Sequence, residues 1–152
     1  MIKVNVEVKS ESWKKKIQNP KKYLNKKLKK IPEIIKFFKG KNITFTILLT
    51  DSFHMKKLNK KFRNINKSTD VLSFPFFSYK NLKLIKEENF YVGDIAVSYE
   101  IINNRSQKSS FNIEFDKIWI HGVLHLLGYD HIKNKDYYKM NNIEKKVLNL
   151  IN

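Results

Sequence analysis

Four short segments of the chain have the hydrophobic pattern of β-strands. In residues 2–8 every second residue is Ile or Val and the residues between them are polar, which predicts a strand with one buried face. Apolar stretches predict three more strands at residues 43–50, 70–77 and 91–98. Pro75 has no backbone N–H to donate, so the strand that contains it either lies at the edge of the sheet or ends there.

Other segments have apolar residues at helical spacing. One helix is predicted to begin near Trp13, after Ser10 and Ser12, and a second begins at Pro20 and has a lysine-rich outer face. Residues 34–38 extend or follow the second helix, and residues 81–89 form a loop or a short hairpin. Further helices are predicted at residues 53–62 with Met55, Leu58 and Phe62 inward, at 99–107, at 111–127, and at 135–151 with Tyr138, Ile143, Val147 and Leu150 inward.

The order of these elements predicts one α+β domain that spans residues 1–152. Strands and helices follow each other without a regular βαβ rhythm, and the chain contains neither an internal repeat nor an interdomain linker. We therefore expect a small mixed β-sheet packed with helices.

Composition indicates a globular protein of the cytoplasm. The 152 residues are 41% hydrophobic, and no apolar run approaches the roughly 20 residues that a membrane span needs. The first residues alternate like a strand and lack the layout of a signal peptide. The chain has no cysteine, which excludes disulfides and thiolate metal sites.

The net charge of +17 has two interpretations. A surface this basic attracts the phosphate backbone of nucleic acids. Alternatively, AT-rich coding produces a chain rich in Lys, Asn, Ile, Phe and Tyr, and much of the charge is then compositional drift. Arginine occurs only at Arg63 and Arg105, and its planar guanidinium binds phosphate in a way that lysine cannot copy.

Three of the four histidines are close together in the sequence, where they predict a metal site. His121 and His125 are four residues apart on a predicted helix, so their side chains lie on one face, with Cβ atoms about 5–6 Å apart. Gly128 is suited to end that helix in a left-handed conformation, after which the chain can reverse and bring His131 back as a third ligand.

Three protein nitrogens without an obvious fourth ligand are typical of an open, catalytic zinc site with one ion. The alternative is that the three histidines have unrelated structural roles in the core or at the surface. The identity of the metal is also open between zinc and another metal that imidazole binds. Affinity order alone favours copper, and cells select the metal by availability.

The histidine spacing matches that of zincin-type proteases, except at one position. Those proteases have a glutamate directly after the first histidine as general base, and this chain has Gly122 there. Peptide hydrolysis by that mechanism is therefore disfavoured, and the general base stays unassigned. Hydrolysis of a phosphodiester fits better, because a metal can polarise a phosphoryl oxygen and a basic surface suits such a substrate.

The same residues resemble the YbeY family of bacterial endoribonucleases. The resemblance rests on the segment HGVLHLLGYDH at residues 121–131 and on TDVLSFP at residues 69–75. It is extended by GDIAVS at residues 93–98, by the helix end at residues 58–63, and by Met140 and Glu144 in the last helix. One departure is Phe62, which stands where tyrosine is common in the family.

The resemblance implies a single-strand-specific metallo-endoribonuclease that acts in 3′-end maturation of 16S ribosomal RNA and in late ribosome quality control. It implies that His121, His125 and His131 bind zinc and that Arg63 binds phosphate or stabilises the transition state. The alternative for Arg63 is an ordinary arginine at the end of a surface helix. The resemblance implies that the protein's partners are single-stranded RNA, 16S ribosomal RNA and the small ribosomal subunit. The sequence does not predict an oligomeric state.

Several other polar and aromatic residues are weaker candidates. Asp130 either orients a ligand imidazole or caps the turn before His131. Asp70 and Asp94 are predicted to lie at strand ends and to fix loops by accepting backbone N–H bonds. Structural roles are predicted for the rest: a helix position for His54, the surface for Arg105 and the core for Trp13 and Trp119.

Two functions of other classes stay open at this point. One is a zincin-like metallopeptidase that takes its base from elsewhere in the chain. The other is a non-catalytic ribosome-assembly factor whose metal only stabilises the fold. The missing glutamate at Gly122 argues against the first, and the open fourth ligand position argues against the second.

Overall fold

The computed structural model describes residues 1–33, 35, 40–82 and 84–152. Its strands are β1 (Ile2–Val8), β2 (Asn42–Thr50), β3 (Val71–Pro75) and β4 (Asn89–Ser98). Its α-helices are α1 (Ser12–Lys16), α2 (Pro20–Leu28), α3 (Ser52–Arg63), α4 (Tyr79–Leu82), α5 (Tyr99–Arg105), α6 (Phe111–Leu126) and α7 (Asn134–Ile151). No helix in the described part of the chain combines the length and apolarity needed to cross a membrane.

The four strands form one mixed sheet in the order β1-β2-β4-β3. The pairs β1–β2 and β2–β4 are parallel, whereas β3 runs antiparallel to β4. The predicted α+β fold with a small mixed sheet is confirmed. Pro75 is the last residue of β3, and β3 lies at the edge of the sheet. Its missing N–H therefore costs the sheet interior no hydrogen bond.

The main core lies between one face of the sheet and helix α6. Apolar residues surround α6 almost completely because β3, β4, α5 and α7 all pack against it. Trp13 and Trp119 are fully buried, as predicted, and each indole N–H has a partner, Thr50 O at 2.9 Å and Asp116 Oδ1 at 2.8 Å respectively.

A smaller core lies on the opposite face of the sheet, under helix α3. Met55 of α3 is buried with Leu72 and Ala96, and Leu58 packs against them. The inward prediction for Phe62 is wrong: its side chain is 56% exposed and its ring contacts Phe74 edge-on at the rim. The cluster under α3 includes Met55 and Leu58 but not Phe62, which lies at its edge.

The inward prediction for α7 is confirmed for Val147 and Ile143, which lie in or against the core, and is wrong for Tyr138. Tyr138 is 65% exposed, whereas Met140, Val147 and Ile151 are buried. Tyr138 and Met140 are two residues apart, about 200° around the helix axis, so they cannot share a face. The predicted extension at residues 34–38 lies outside the described residues except for Ile35, which is buried.

Gly93 is required by a bulge in β4. Thr44 pairs with Tyr91 and Phe45 with Gly93, so Val92 is the extra residue. The φ of Gly93 is +137°, and a Cβ there would lie 2.2 Å from the carbonyl oxygen of Phe74. Only glycine fits this backbone conformation beside the edge strand.

We expect Gly93→Ala to lower the free energy of unfolding by at least about 2 kcal/mol, because it adds a backbone clash to the strain of a positive φ. The matched control is Gly40→Ala, where φ is +76° and a Cβ would meet no atom within 4 Å. Urea titrations of both variants measure the difference, and equal losses would show that the contact with β3 is unimportant.

Candidate metal centre

Helix α6 and the turn after it carry the three clustered histidines. His121 and His125 lie in the last two turns of α6, and Ser110 caps the other end by accepting a hydrogen bond from the Ile113 N–H. Gly128 has a φ of +82°, the left-handed conformation predicted to end the helix. The chain then turns back and places His131, which is exposed, beside the other two.

The three imidazoles converge on one point. One ligand nitrogen from each of His121, His125 and His131 lies within 4.8 Å of the other two. The Nε2 atoms of His121 and His125 are 3.0 Å apart. The structure therefore brings together the three residues predicted from their spacing, in a cluster that could bind a metal ion.

Hydrogen bonds at Nδ1 fix the orientation of the two helical histidines. His125 Nδ1 lies 2.9 Å from the Tyr129 carbonyl oxygen, and His121 Nδ1 lies 2.6 Å from Glu144 Oε1. A carbonyl or carboxylate oxygen accepts, so both Nδ1 atoms donate, and the Nε2 atom of each neutral ring presents a lone pair. Partners of this kind are typical of metal-binding histidines.

The electrostatics of the cluster favour a bound cation. With both Nδ1 atoms protonated, two Nε2 lone pairs face each other across 3.0 Å, which a cation or an additional proton between the rings would stabilise. Burial, followed by the charges of His121 and His131, lowers the pKa of His125 below its ordinary value. His125 is thus held in the neutral form that binds metal.

The contact of Glu144 with His121 was not predicted from the sequence, which indicated Glu144 only through the family resemblance. Glu144 lies on the inward side of α7, one turn from Met140 and from Val147, and its side chain is 21% exposed. The sequence feature that could have indicated this contact is a carboxylate on the otherwise apolar face of α7. Asp130, by contrast, accepts the His131 backbone N–H at 2.7 Å, which is the turn-capping role of its two predicted alternatives.

A cleft of about 540 Å³ opens beside the histidines. Its opposite wall is formed by residues 69–73 and Pro75 of the edge-strand region, and by Arg63, the last residue of α3. Arg63 is exposed, and no described residue forms a hydrogen bond or an ion pair with its guanidinium. The guanidinium is thus available to an anionic ligand in the cleft.

Gly122 explains why the protease glutamate is missing. A Cβ at this position would lie 3.0 Å from Ile95 Cγ2 and 3.3 Å from Ser73 Oγ, so residue 122 faces the sheet and not the cleft. The Ser73 hydroxyl also donates to the Gly122 carbonyl oxygen at 3.1 Å. A glutamate here would be forced into the helix–sheet interface.

The other candidate residues have structural positions. Asp70 accepts the Val71 N–H at 2.8 Å, as predicted, and also pairs with Arg105 at 2.6 Å. The predicted position of Asp94 is wrong, because it lies within β4, where it accepts from the Tyr91 hydroxyl on the face opposite α6. β4 begins two residues before the predicted segment because Asn89 and Phe90 pair with Asn42 and Ile43 of β2. His54 is exposed on α3, as expected of an ordinary helix residue.

An α+β domain that gathers three imidazoles beside an arginine without a partner among the described residues has the side chains of a hydrolase-type metal site. A family model described as Endoribonuclease YbeY matches residues 5–152. The chain belongs to the YbeY family.

Relatives support this assignment over most of the chain. An Endoribonuclease YbeY from Pelagibacter ubique is 49% identical over 142 residues, covering 92% of this chain and 90% of that protein. One from Bartonella henselae is 32% identical over 152 residues, covering 97% and 92%. The solution structure of TM1509 from Thermotoga maritima has a TM-score of 0.64 at 28% identity, covering 99% of this chain and 89% of that one.

We expect Glu144→Ala to weaken Zn²⁺ binding about 10–100-fold, because His121 loses the acceptor that orients its ring. Glu144→Gln keeps an acceptor oxygen and should lose less. Competition with a chromophoric chelator measures the affinity, and Asp136→Asn, in the first turn of the same helix, is the control. Unchanged affinity in Glu144→Ala would rule out an orienting role.

Proposed function

We propose that this protein is a zinc-dependent endoribonuclease that hydrolyses phosphodiester bonds of single-stranded RNA, with residues 1–152 acting as one domain. The observation that carries the proposal is the convergence of His121, His125 and His131 in a cleft that also contains Arg63. Membership of the YbeY family and the endoribonuclease names of the relatives support RNA as the substrate.

In this proposal each residue has a distinct role. His121, His125 and His131 hold one zinc ion, which when bound would polarise a phosphoryl oxygen and lower the pKa of a bound water. Glu144 and the Tyr129 carbonyl keep the Nε2 atoms of His121 and His125 directed at the ion. Arg63 binds a nonbridging phosphate oxygen across the cleft and stabilises the charge that develops there.

The proposed substrate is 16S ribosomal RNA, cleaved during 3′-end maturation and in late quality control of the small ribosomal subunit in the cytoplasm. The family resemblance supports this role, and the net charge of +17 suits a partner built largely of phosphate. A peptidase is disfavoured because the position of its general base is Gly122, which packs against Ile95.

We expect His125→Ala to lose both bound zinc and RNA cleavage, because one of three ligands and its Nδ1 contact disappear. Metal content by mass spectrometry and cleavage of a single-stranded ribosomal RNA fragment are measured on the same preparations. His54→Ala is the matched control, since His54 is exposed on α3 and away from the cluster.

The outcomes separate the remaining functions. Near-stoichiometric zinc without RNA cleavage in the wild type would favour an assembly factor with a structural metal. Metal-dependent cleavage of an unfolded protein, without RNA cleavage, would favour a peptidase. A folded wild type that binds no metal would contradict the proposal altogether.

We expect Arg63→Ala to lower kcat/KM for RNA cleavage by about 100-fold or more while zinc content is unchanged. Arg63→Lys should recover only part of the loss, because lysine cannot form the bidentate contact. The control is Lys60→Ala, an exposed lysine on the same helix. Wild-type activity in Arg63→Ala would make it an ordinary surface arginine.

A further inference from the structure

Positive charge is concentrated in the first quarter of the chain. Residues 1–41 contain 14 lysines and three glutamates, a net charge of +11, whereas the remaining residues contribute only +6 to the total of +17. Most of these lysines belong to α1, α2 and the segments beside them, and these helices lie at the opposite end of α6 from the histidines.

A groove of about 310 Å³ lies within this basic region. We call it the lysine groove; it is lined by Lys16, Ile17, Gln18, Asn19, Lys22, Tyr23, Lys26 and Asn112. The three lysines are exposed, and no carboxylate of the described residues lies within ion-pair distance of them. Lysine side chains are among the groups that contact phosphate oxygens of nucleic-acid backbones.

The wall of the groove is held rigidly. Asp116 of α6 is completely buried and accepts from the Tyr23 hydroxyl at 3.0 Å and from Lys27 Nζ at 2.5 Å, which fastens α2 to α6. The Asn19 side chain accepts from the Lys22 N–H at 3.0 Å and caps α2. Lys27 is thus paired with Asp116, whereas the three lysines of the groove have no carboxylate partner among the described residues.

The lysines at the start of α2 are unfavourable to that helix. The first turn of α2 contains Lys21 and Lys22 and no acidic residue, although negative charge is what stabilises a helix N-terminus. Lys22 and Lys26 are also four residues apart, where like charges repel. Lys22 is thus not placed to stabilise its own helix, whereas Lys26 lies in the last turn, where positive charge is favourable.

We propose that the lysine groove binds the phosphate backbone of RNA as a second contact, separate from the cleft; this rests on the proposed function for the choice of RNA. Asn112 of the groove and His121 are nine residues apart on α6, which places them on opposite sides of the helix. Asn112 and His125 are separated by about 20 Å along the axis. The groove therefore holds a part of a long or folded RNA other than the segment in the cleft.

The test compares two triple variants with the same change in net charge. The groove variant removes the positive charge of the groove and carries Lys16→Gln, Lys22→Gln and Lys26→Gln. The control variant removes three exposed lysines scattered elsewhere and carries Lys86→Gln, Lys108→Gln and Lys146→Gln. Binding of a single-stranded RNA of about 30 nucleotides is measured over a range of salt concentrations. A chelator keeps the RNA intact, so the result does not depend on catalysis.

We expect the groove variant to bind at least about tenfold more weakly near 0.1 M salt, with a slope of log K against log salt that is smaller by about two. The control variant should change much less. Without the chelator, the groove variant should lose kcat/KM on the long RNA and keep it on a substrate of about four nucleotides, which is too short to reach from cleft to groove.

Equal weakening in both variants would overturn the proposal, because the charge would then act diffusely. Loss of binding to anionic phospholipid vesicles, with RNA binding unchanged, would assign the groove to a membrane surface instead. Absence of RNA cleavage in every preparation would contradict the proposed function alone, since the binding difference would remain. Melting temperatures equal to that of the wild type verify that both variants are folded.

Discussion

The close approach of helix α6 to the sheet at Gly122 is the contact on which the site depends. A Cβ there would press on Ile95, so the absence of a side chain lets the helix lie directly against β4. The Ser73 hydroxyl reinforces this contact from β3. With α6 fixed at this depth, the face that carries His121 and His125 is directed into the cleft beside the edge strand, opposite Arg63.

Local patterns were sufficient to predict most elements and the clustering of the three histidines. The i,i+4 spacing of His121 and His125 requires only a helix, and Gly128 requires only a left-handed turn, so both follow from the nearest neighbours in sequence. Pro75 likewise assigns β3 to an edge. These predictions succeeded because each depends on covalent geometry and not on what packs from elsewhere.

Features that depend on distant parts of the chain were predicted poorly. The contact of Glu144 with His121 joins residues 23 apart, so the partner of Glu144 cannot be inferred from the residues next to it in the sequence. The rotation of α7 about its axis decides that Met140 is buried and Tyr138 is exposed. The extra residue in β4, Val92, is visible only in the pairing with β2.

The hydrogen bond from His121 to Glu144 joins the ligand set to α7, a helix that supplies no ligand itself. Whatever holds α7 against α6 therefore also holds one imidazole in place, and by thermodynamic reciprocity an ion on the histidines holds α7. In the proposed metal site, docking of the last helix and metal binding are therefore coupled. A molecule that displaced α7 would weaken metal binding without entering the cleft.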